Sequence, residues 1–232
     1  MCPVRKASPK VRRKRTRRWL FVLSAVLLIA ILITVAYFWY PAGNKAANSQ
    51  PNQQNNELNN ELNSMPAGFK PLAEEYLGVM KNLNSSKTKT EMAALLNPKY
   101  NQTDLFAWES SKLTFADDPS GFYEDPFQIL ASGDGICVQW SIVYVSACLA
   151  LGYQSRLVVA VDTSTWTYIH TWAEDYYHGS WVHVDPSDKV WNDPSRYLGP
   201  SWPWGKDIGT TVRVYAFEDG SFQDVTATYS AH

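Results

Sequence analysis

The sequence predicts an α+β domain, with helices first and an antiparallel sheet after them, preceded by a single N-terminal transmembrane helix. Three observations lead to this prediction. A stretch of 22 uncharged residues, 19–40, follows a strongly basic N-terminus. Apolar residues then recur at helical spacing up to residue 151, and runs rich in β-branched and aromatic residues follow from residue 155. Helices followed by consecutive strands are typical of an α+β domain.

The first eighteen residues contain nine Lys and Arg and no acidic residue. Because the whole chain has a net charge of −1, the remaining residues carry −10. Basic residues beside a first membrane helix stay in the cytoplasm, so residues 1–18 are predicted to form a cytoplasmic tail. Binding of nucleic acid by this basic run is the alternative. Its position directly beside an apolar span favours the membrane, and no nucleic-acid partner is predicted.

Residues 19–40, WLFVLSAVLLIAILITVAYFWY, are predicted to form a transmembrane helix. At 1.5 Å per residue they would span about 33 Å, against a hydrocarbon core of about 30 Å. Aromatic residues stand at both ends, as expected at the two membrane interfaces. A cleaved signal peptide is the alternative. Signal peptides, however, have a shorter apolar region than residues 19–40, and small residues follow that region. The predicted location is the cell membrane, single-pass, with the N-terminus cytoplasmic and the folded domain outside.

Residues 41–66 are dominated by Asn, Gln, Ala and Ser and contain almost no large apolar residue. Such a segment buries too little surface to offset the entropy of ordering it, so we predict a flexible stalk. A polar helix over NNELNNEL is the alternative. The folded domain is predicted to occupy residues 67–232.

Within that domain, FKPLAEEYLGVMKNL predicts a helix and KTEMAALL a second short one. A third helix, over residues 136–151, is expected to end at Gly152, because glycine readily adopts the left-handed conformation after a helix. Strands are predicted beyond it, with a hairpin turn at residues 178–180. Their spans are 155–162, 168–177, 179–186 and 210–219.

The chain contains three cysteines, too few for a disulfide framework. Cys2 falls in the predicted cytoplasmic tail. Cys137 and Cys148 are eleven residues apart on one predicted helix, which separates them by about 16 Å. A disulfide needs Cα atoms within about 7 Å, so Cys137 is expected to be a free thiol.

Cys137 falls where the third helix would begin, directly after Gly133 and Gly135. A helix N-terminus stabilises a thiolate, which is the nucleophilic form of cysteine. Such a nucleophile needs a base held by a third group. His170 and Asp185 lie on consecutive predicted strands, and a hairpin would place them side by side. Each residue also has a structural alternative when it is considered alone: Cys137 as a buried core residue, His170 as a structural histidine and Asp185 as part of a turn. His183 is the second candidate for the base.

Three segments resemble the transglutaminase-like superfamily, and within it the peptide:N-glycanase branch most closely. They are GDGICVQWSIVYVSACLALGYQSRLVV, IHTWAEDYYHGSWVHVDPSD and VYAFEDGSFQDVTATYS, and the resemblance covers residues 126–230. It includes G-x-C-x-x-W at Cys137, L-G-x-x-x-R at Arg156, H-x-W-x-E at His170 and V-D-P at Asp185. The resemblance implies a papain-like α+β core, with Cys137 as nucleophile, His170 as general base and acid, and Asp185 as the residue that orients His170.

The sequence also departs from that branch. Eukaryotic members carry paired C-x-x-C zinc motifs before the catalytic cysteine, and this chain has none, so neither a metal nor another cofactor is predicted. A membrane anchor is also unlike the cytosolic members. Another branch keeps the fold without catalysis and recognises damaged DNA. Here all three catalytic residues are present and the domain is acidic, which disfavours that role.

Tryptophans are unusually frequent in the C-terminal half, and indole rings that line a cleft can stack on sugars. The loop LGPSWPWGKD is the best candidate for the rim of such a cleft. The predicted substrate-binding residues are Trp140, Trp172, Trp202 and Trp204. Packing in the core is the alternative for most of the tryptophans.

These observations together predict a membrane-anchored thiol hydrolase that acts outside the cytoplasm on amide bonds of peptides or glycoproteins. Its substrate partner would be a peptide, protein or glycoprotein. Proteolysis, removal of an N-linked glycan and transamidation between Gln and Lys all remain open at this point. The alternative from a different class is a non-catalytic surface module that binds glycan or peptide in an aromatic cleft.

Overall fold

The computed structural model describes residues 51–117, 119, 121, 124–197 and 204–230. The predicted tail and membrane span, residues 1–40, lie outside this part of the chain. None of the helices that it does describe is long and apolar enough to cross a membrane. The α-helices of the described residues are α1 (Pro51–Ser64), α2 (Phe69–Leu83), α3 (Ser86–Ala93), α4 (Gln102–Ser110), α5 (Pro126–Ser132), α6 (Cys137–Ala150) and α7 (Thr226–Tyr229).

Helix α1 corrects the prediction of a flexible stalk. Residues 51–64 are helical, and this is the alternative that the NNELNNEL pattern left open. Leu58 and Leu62 are one helical turn apart and therefore lie on the same face. Leu62 is only 6% exposed and packs into the core of the domain. Burial of this leucine pair accounts for the order of an otherwise polar segment, and residues 41–50 lie outside the described part.

A six-stranded antiparallel sheet forms the centre of the domain, with the strand order β6-β5-β4-β3-β7-β8. A small parallel pair, β1 with β2, lies apart from it. Helices followed by an antiparallel sheet confirm the predicted α+β class. The strands are β1 (Thr114–Phe115), β2 (Asp134–Gly135), β3 (Ser155–Asp162), β4 (Thr167–Tyr177), β5 (Ser180–Asp185), β6 (Val190–Trp191), β7 (Val212–Glu218) and β8 (Ser221–Asp224).

Both faces of the sheet are covered, which explains why β3 reads as an almost unbroken apolar run. One face packs against α6 and the other helices that precede the sheet, and it carries Leu157, Val159 and Val161. We call this the helix face. The opposite face carries Val158, Ala160 and Trp172 in a smaller apolar cluster that includes Tyr229 of α7. We call this the outer face.

Helix α6 lies at the centre of the helical layer and contacts β4 as well as α3, α4 and α5. Its residues from Val138 to Cys148 are all buried. The helix ends before Gly152, whose φ of +84° is the left-handed conformation that the sequence predicts there. The 3-10 helices at Pro194–Tyr197 and Gly205–Asp207 precede β7. Within α6, Cys137 at the start and Leu149 and Ala150 at the end are therefore the residues that are partly exposed.

Candidate active site

Cys137 is the first residue of α6 and is partly exposed. The turn before it is held by side chains from the first turn of the same helix. Gln139 Oε1 accepts a hydrogen bond from the backbone N–H of Ile136 at 3.2 Å. Trp140 Nε1 donates to the carbonyl oxygen of Gly135 at 3.1 Å. These two bonds fix the approach of the chain to the helix, and with it the position of the thiol.

The position of Gly135 leaves no room for a side chain. A Cβ atom at this position would lie 2.9 Å from the Cβ of Gln139, closer than such atoms approach in proteins. Gln139 is fully buried, and its Nε2 donates to the carbonyl oxygen of Gly121 at 3.0 Å. One glutamine therefore ties the segment before α5 to the start of α6. The sequence analysis missed Gln139, although its place two residues after the cysteine could have drawn attention to it.

His170 lies on β4 beside a β-bulge. Ala160 of β3 pairs with His170, but the next residue, Val161, pairs with Tyr168 and skips Ile169. Bulges bend a strand and re-aim its side chains, and they are common next to active sites. The bulge is the local device that directs His170 at the sheet end where α6 begins.

Asp185 is the last residue of β5 and is fully buried. Its Oδ2 lies 2.6 Å from Nε2 of His170. Its Oδ1 accepts from Ser187 Oγ at 2.7 Å and from the backbone N–H of Asp188 at 3.1 Å. Both carboxylate oxygens are therefore bound, and the carboxylate is held in one orientation. Ser187 has a part in this that the sequence analysis did not assign.

The pairing of His170 with Asp185 differs in register from a direct cross-strand pair. Strands β4 and β5 pair Ala173 with Val184, so one residue further Asp185 would lie opposite Trp172. His170 is two residues before Trp172 on the same face of the sheet, so Asp185 contacts His170 diagonally across the two strands. Diagonal neighbours on a sheet are within reach of long side chains. The predicted contact is present, and the predicted direct pairing is wrong by two residues.

Cys137 also lies close enough to His170 to raise the pKa of its ring. Because Asp185 takes Nε2, the nitrogen left to face the thiol is Nδ1. Burial lowers the pKa of His170, but the interactions with Asp185 and Cys137 outweigh burial and raise the pKa to about 10. The ring is therefore an imidazolium at neutral pH and can hold a proton on each nitrogen. The structure thus brings together the three residues that the sequence singled out.

The second candidate for the base, His183, has a different environment. It is 3% exposed and lies against Trp172 and Tyr229, with ring centroids 5.8 and 6.1 Å apart. Burial is the main reason that its pKa is lowered to about 4, so the ring is neutral at physiological pH. The carboxylate of Asp185 is bonded to His170 instead. The geometry therefore favours His170 as the base.

A second carboxyl group lies near the site. Glu109 of α4 is fully buried, and within the described residues neither of its carboxyl oxygens has a hydrogen-bond partner. Desolvation, followed by the nearby charge of Asp185, raises its pKa well above the usual range. Burial therefore disfavours the ionised form of the Glu109 carboxyl group. No sequence pattern pointed to Glu109.

The accessible side of the site is bordered by polar groups. Tyr168 is 42% exposed and lies on the helix face, two residues before His170. Desolvation, then the charges of Cys137 and Glu75, raise the pKa of its hydroxyl. Partial burial and the charge of Glu124 raise the pKa of Glu75 in turn. Tyr168 is thus an exposed hydroxyl group whose pKa depends on both the thiol of Cys137 and the carboxyl group of Glu75.

The four tryptophans predicted to bind substrate differ in exposure and position. Trp140 and Trp172 are 2% and 0% exposed, so assigning them to substrate contact is wrong, since both are packed inside the domain. Trp204 is partly exposed, and its ring lies 6.2 Å from that of His170. Trp202 lies outside the described residues. The described part of the chain contains no group of His, Cys, Asp and Glu arranged to hold a metal ion.

Part of this chain is similar to known proteins. Residues 86–186 match the model of the transglutaminase-like superfamily. A peptide-N(4)-(N-acetyl-beta-glucosaminyl)asparagine amidase from Arabidopsis thaliana is 29% identical over 110 residues, which is 47% of this chain and 14% of the relative. The enzyme of the same name from Gallus gallus is 32% identical over 111 residues, 47% of this chain and 15% of the relative. The chain thus spans about a seventh of the length of these relatives.

A solved structure also aligns with the domain. It is a structure of the Rad4/XPC nucleotide excision repair complex, from work on β-hairpin motifs in DNA duplex opening. The TM-score is 0.52 at 12% sequence identity, and the alignment covers 80% of this chain and 53% of the other. At this identity the similarity shows a shared fold and nothing about activity.

Proposed function

Residues 86–186 make up a domain of the transglutaminase-like superfamily, and on that premise we propose that this chain is a cysteine-dependent hydrolase of amide bonds. One observation carries the proposal. Cys137 at the start of α6 lies close enough to His170 to raise the pKa of its ring, and His170 Nε2 lies 2.6 Å from a fully buried Asp185. A nucleophile, a base within hydrogen-bond reach and a third group that orients the base are the three parts of a catalytic triad.

In the first half of the reaction, the Cys137 sulfur attacks the carbonyl carbon of the amide, and a C–S bond forms. The negative charge that develops on the carbonyl oxygen is stabilised by the backbone N–H of Cys137 at the helix N-terminus. His170 then gives its Nδ1 proton to the leaving nitrogen. The C–N bond breaks, which leaves a thioester on Cys137 and a free amine or ammonia.

In the second half, water replaces the amine. His170, now neutral, takes a proton from the water as the oxygen attacks the thioester carbon. The C–S bond breaks, the product acid leaves, and the proton on His170 restores the imidazolium beside the thiolate. Asp185 holds the ring in orientation throughout and keeps its own negative charge, because Ser187 and the Asp188 N–H bind its other oxygen.

We assign the substrate to peptides or glycoproteins. The relatives from Arabidopsis thaliana and Gallus gallus are named as amidases of glycosylated asparagine, which supports an N-glycan linkage as the first amide to test. The exposed hydroxyl of Tyr168, whose pKa responds to Cys137, could form a hydrogen bond with a peptide substrate. An amine that replaced water in the second half-reaction would give transamidation through the same thioester.

The deciding experiment compares Cys137→Ala with Cys148→Ala, a matched cysteine at the other end of α6. Both variants and the wild type would be assayed on N-glycosylated peptides, the same peptides without glycan, and Gln donors mixed with Lys acceptors. We expect the wild type to act on one class, Cys137→Ala to show no turnover and Cys148→Ala to retain it. Full activity of Cys137→Ala on the responding substrate would exclude the thiol mechanism.

We also propose that the domain is tethered outside the cytoplasm, on the strength of the basic residues 1–18 and the apolar residues 19–40. Protease added to intact cells should cut the polar segment 41–50 and release a fragment that begins shortly before α1. Protection of the chain in intact cells, with cleavage only after lysis, would place the domain in the cytoplasm instead.

A further inference from the structure

The outer face of the sheet behind His170 is closed by the short C-terminal helix α7. Its last residue, Tyr229, is 1% exposed and packs edge to face on Trp172, with ring centroids 5.0 Å apart. Trp172 is itself fully buried, although it lies on β4 only two residues from His170. A segment more than forty residues later in the chain therefore reaches the strand that carries the proposed base.

A directed chain of hydrogen bonds joins these residues. Trp172 Nε1 lies 2.9 Å from the Tyr229 hydroxyl oxygen, and the Tyr229 hydroxyl lies 2.5 Å from Oε1 of Glu174. An indole N–H can only donate, so the tyrosine oxygen accepts from Trp172 and its own hydrogen goes to Glu174. The Tyr229 hydroxyl thus satisfies two buried groups at once.

The far end of this chain is fixed by a buried ion pair. Glu174 Oε2 lies 2.6 Å from Nη2 and 2.7 Å from Nε of Arg156 on the neighbouring strand. Arg156 also bonds Glu218 through Nη1 at 3.1 Å, and its guanidinium lies 3.9 Å from the ring of Trp181. Glu174 therefore cannot move to follow Trp172, and the Tyr229 hydroxyl has a rigid acceptor.

The near end of the chain lies against the proposed site. The Trp172 ring stacks beside His170, with centroids 5.9 Å apart and planes at 26°. It also stacks on Trp204, at 6.4 Å and 18°. A rotation of the indole would remove the surface that backs both rings, and the hydrogen bond at its edge prevents this rotation.

We infer that Tyr229 is a positioning residue for the proposed hydrolysis: its hydroxyl locks the Trp172 indole, and the locked indole holds the His170 ring in line between Cys137 and Asp185. The inference rests on the proposed function, because it concerns the base of that reaction. It assigns the C-terminal helix α7 a part in the site that its distance along the chain does not suggest.

The test uses Tyr229→Phe in the full chain, which keeps the packed ring and removes only the hydroxyl. The ring signal of His170, identified by its loss in His170→Gln, would be followed by NMR as a function of pH. We expect the midpoint to fall from its raised value towards that of a free histidine, because a less ordered ring loses part of its bond to Asp185. On the responding substrate, kcat should fall about tenfold with KM nearly unchanged, the effect of losing one hydrogen bond to a charged group.

Tyr144→Phe is the matched control. Its hydroxyl also lies 2.5 Å from the oxygen of a buried carboxylate, that of Asp175, but on the helix face. Both substitutions should lower the melting temperature, and only Tyr229→Phe should move the His170 titration and kcat. Equal loss of stability with an unchanged His170 midpoint and kcat in Tyr229→Phe would reduce Tyr229 to a packing residue and overturn the inference.

A measurement on the unaltered protein covers the case in which Tyr229→Phe does not fold. The Nε1–H signal of Trp172 should be protected from exchange with solvent and should shift at the same pH as His170. A rapidly exchanging Trp172 signal that ignores the His170 titration would also overturn the inference. Turnover by Cys137→Ala would instead defeat the proposed function, so the two failures are distinguishable.

Discussion

Helix α6 carries one cysteine at each end, and the two thiols have opposite surroundings. Cys137 begins the helix, is partly exposed and lies near His170, whose pKa is raised to about 10. Cys148 lies in the last turn, is fully buried, and its sulfur lies 3.8 Å from Oδ2 of Asp175. A helix N-terminus and a nearby cation favour a thiolate, whereas a helix C-terminus and a nearby carboxylate oppose it.

The pKa of the Cys148 thiol follows this contrast. Desolvation, and after it the charge of Asp175, raise the pKa of Cys148 well above its usual range. Cys148 is therefore an inert core residue, as buried cysteines usually are. The two cysteines belong to one helix, so the difference between their surroundings comes from the helix end and from the partner residues.

The two aspartates differ as much as the two cysteines. Asp185 is fully buried, and its carboxylate accepts three hydrogen bonds, one of them from the imidazolium of His170. Asp175 is equally buried, but it takes part in none of the ion pairs of the described residues. Its hydrogen bond from Tyr144 does not offset burial, which raises its pKa to about 6. Replacing each aspartate by asparagine therefore tests whether the contrast between the two ends of α6 is functional.

The largest expected effect is that of Asp185→Asn on turnover. The amide cannot hold the imidazolium in the same way, and the corresponding change in serine proteases lowers the rate by about 10⁴-fold. A similar fall in kcat is expected here. It would be measured on whichever of the glycosylated peptides, unmodified peptides or Gln and Lys donor pairs the wild type acts on. Asp175→Asn should leave kcat unchanged, and comparable inactivation by both substitutions would show that burial of an aspartate near α6 is all that matters.

His170→Gln and His183→Gln supply a second matched pair for the same assay. Both residues are buried histidines on adjacent strands, and His170 is the one whose Nε2 lies 2.6 Å from Asp185 Oδ2. His170→Gln should be inactive, and His183→Gln should retain most of its turnover once corrected for the folded fraction. The reverse order would transfer the role of base to His183.

The next effect in size is the difference in thiol reactivity. In the folded protein with Cys2 replaced by serine, iodoacetamide should alkylate Cys137 at least about 100 times faster than Cys148, because only Cys137 is accessible and paired with a cation. Peptide mass spectrometry after timed labelling would measure both rates in one sample. After unfolding in denaturant, the two rates should converge, which serves as the internal control. Equal labelling of both residues in the folded protein would remove the contrast between them.

Much of the fold could be predicted from local sequence. Helix α2 and strand β3 have the predicted bounds, and α6 ends at the predicted glycine, because hydrophobic periodicity and glycine preferences act over a few residues. Helix α1 was mispredicted because its order depends on Leu62 finding a place in a core made by distant residues. Composition alone does not show whether such a place exists.

The candidate site divides in the same way. Cys137, His170 and Asp185 could be proposed from residue type and strand order, but the bulge at Ile169 and the diagonal register could not. Trp140 and Trp172 belong to sequence motifs, and the motifs do not say whether an indole faces a cleft or the core. Glu109 and Tyr229 come from distant segments and meet the site only in the folded chain.

A smaller effect is expected of Asp175→Asn on stability. In the folded protein the pKa of Asp175 is about 6, above its ordinary value of 3.8, so the folded state binds this proton more tightly than the unfolded state. Its contribution to the free energy of unfolding is therefore favourable at low pH and is lost as the pH rises from about 4 to about 6. Asparagine does not ionise and should abolish this loss.

Denaturant unfolding of wild type and Asp175→Asn at pH 4 and pH 8 would measure this effect. Relative to its effect at pH 4, the substitution should be more favourable at pH 8 by on the order of 2 kcal/mol. Comparing the same substitution at two pH values cancels the change in packing, which is common to both. An identical effect at both pH values would mean that Asp175 titrates in its ordinary range.

The smallest effect is expected of Ser187→Ala, which removes one of the two hydrogen bonds to Oδ1 of Asp185 and leaves that from the Asp188 N–H. A hydrogen bond to a charged group contributes about 1.5 kcal/mol or more, so a loss of up to about tenfold in kcat is the expected ceiling. The sequence Asp-Pro-Ser recurs at residues 193–195, where Ser195 Oγ also bonds the aspartate, Asp193, but at the exposed start of the 3-10 helix Pro194–Tyr197. Ser195→Ala is thus a control with the same local sequence and the same hydrogen bond, and it should leave kcat unchanged. If both alanine variants had wild-type kcat, the backbone N–H of Asp188 would be sufficient to orient Asp185. The functional difference between Asp185 and Asp175 would then depend on His170 alone.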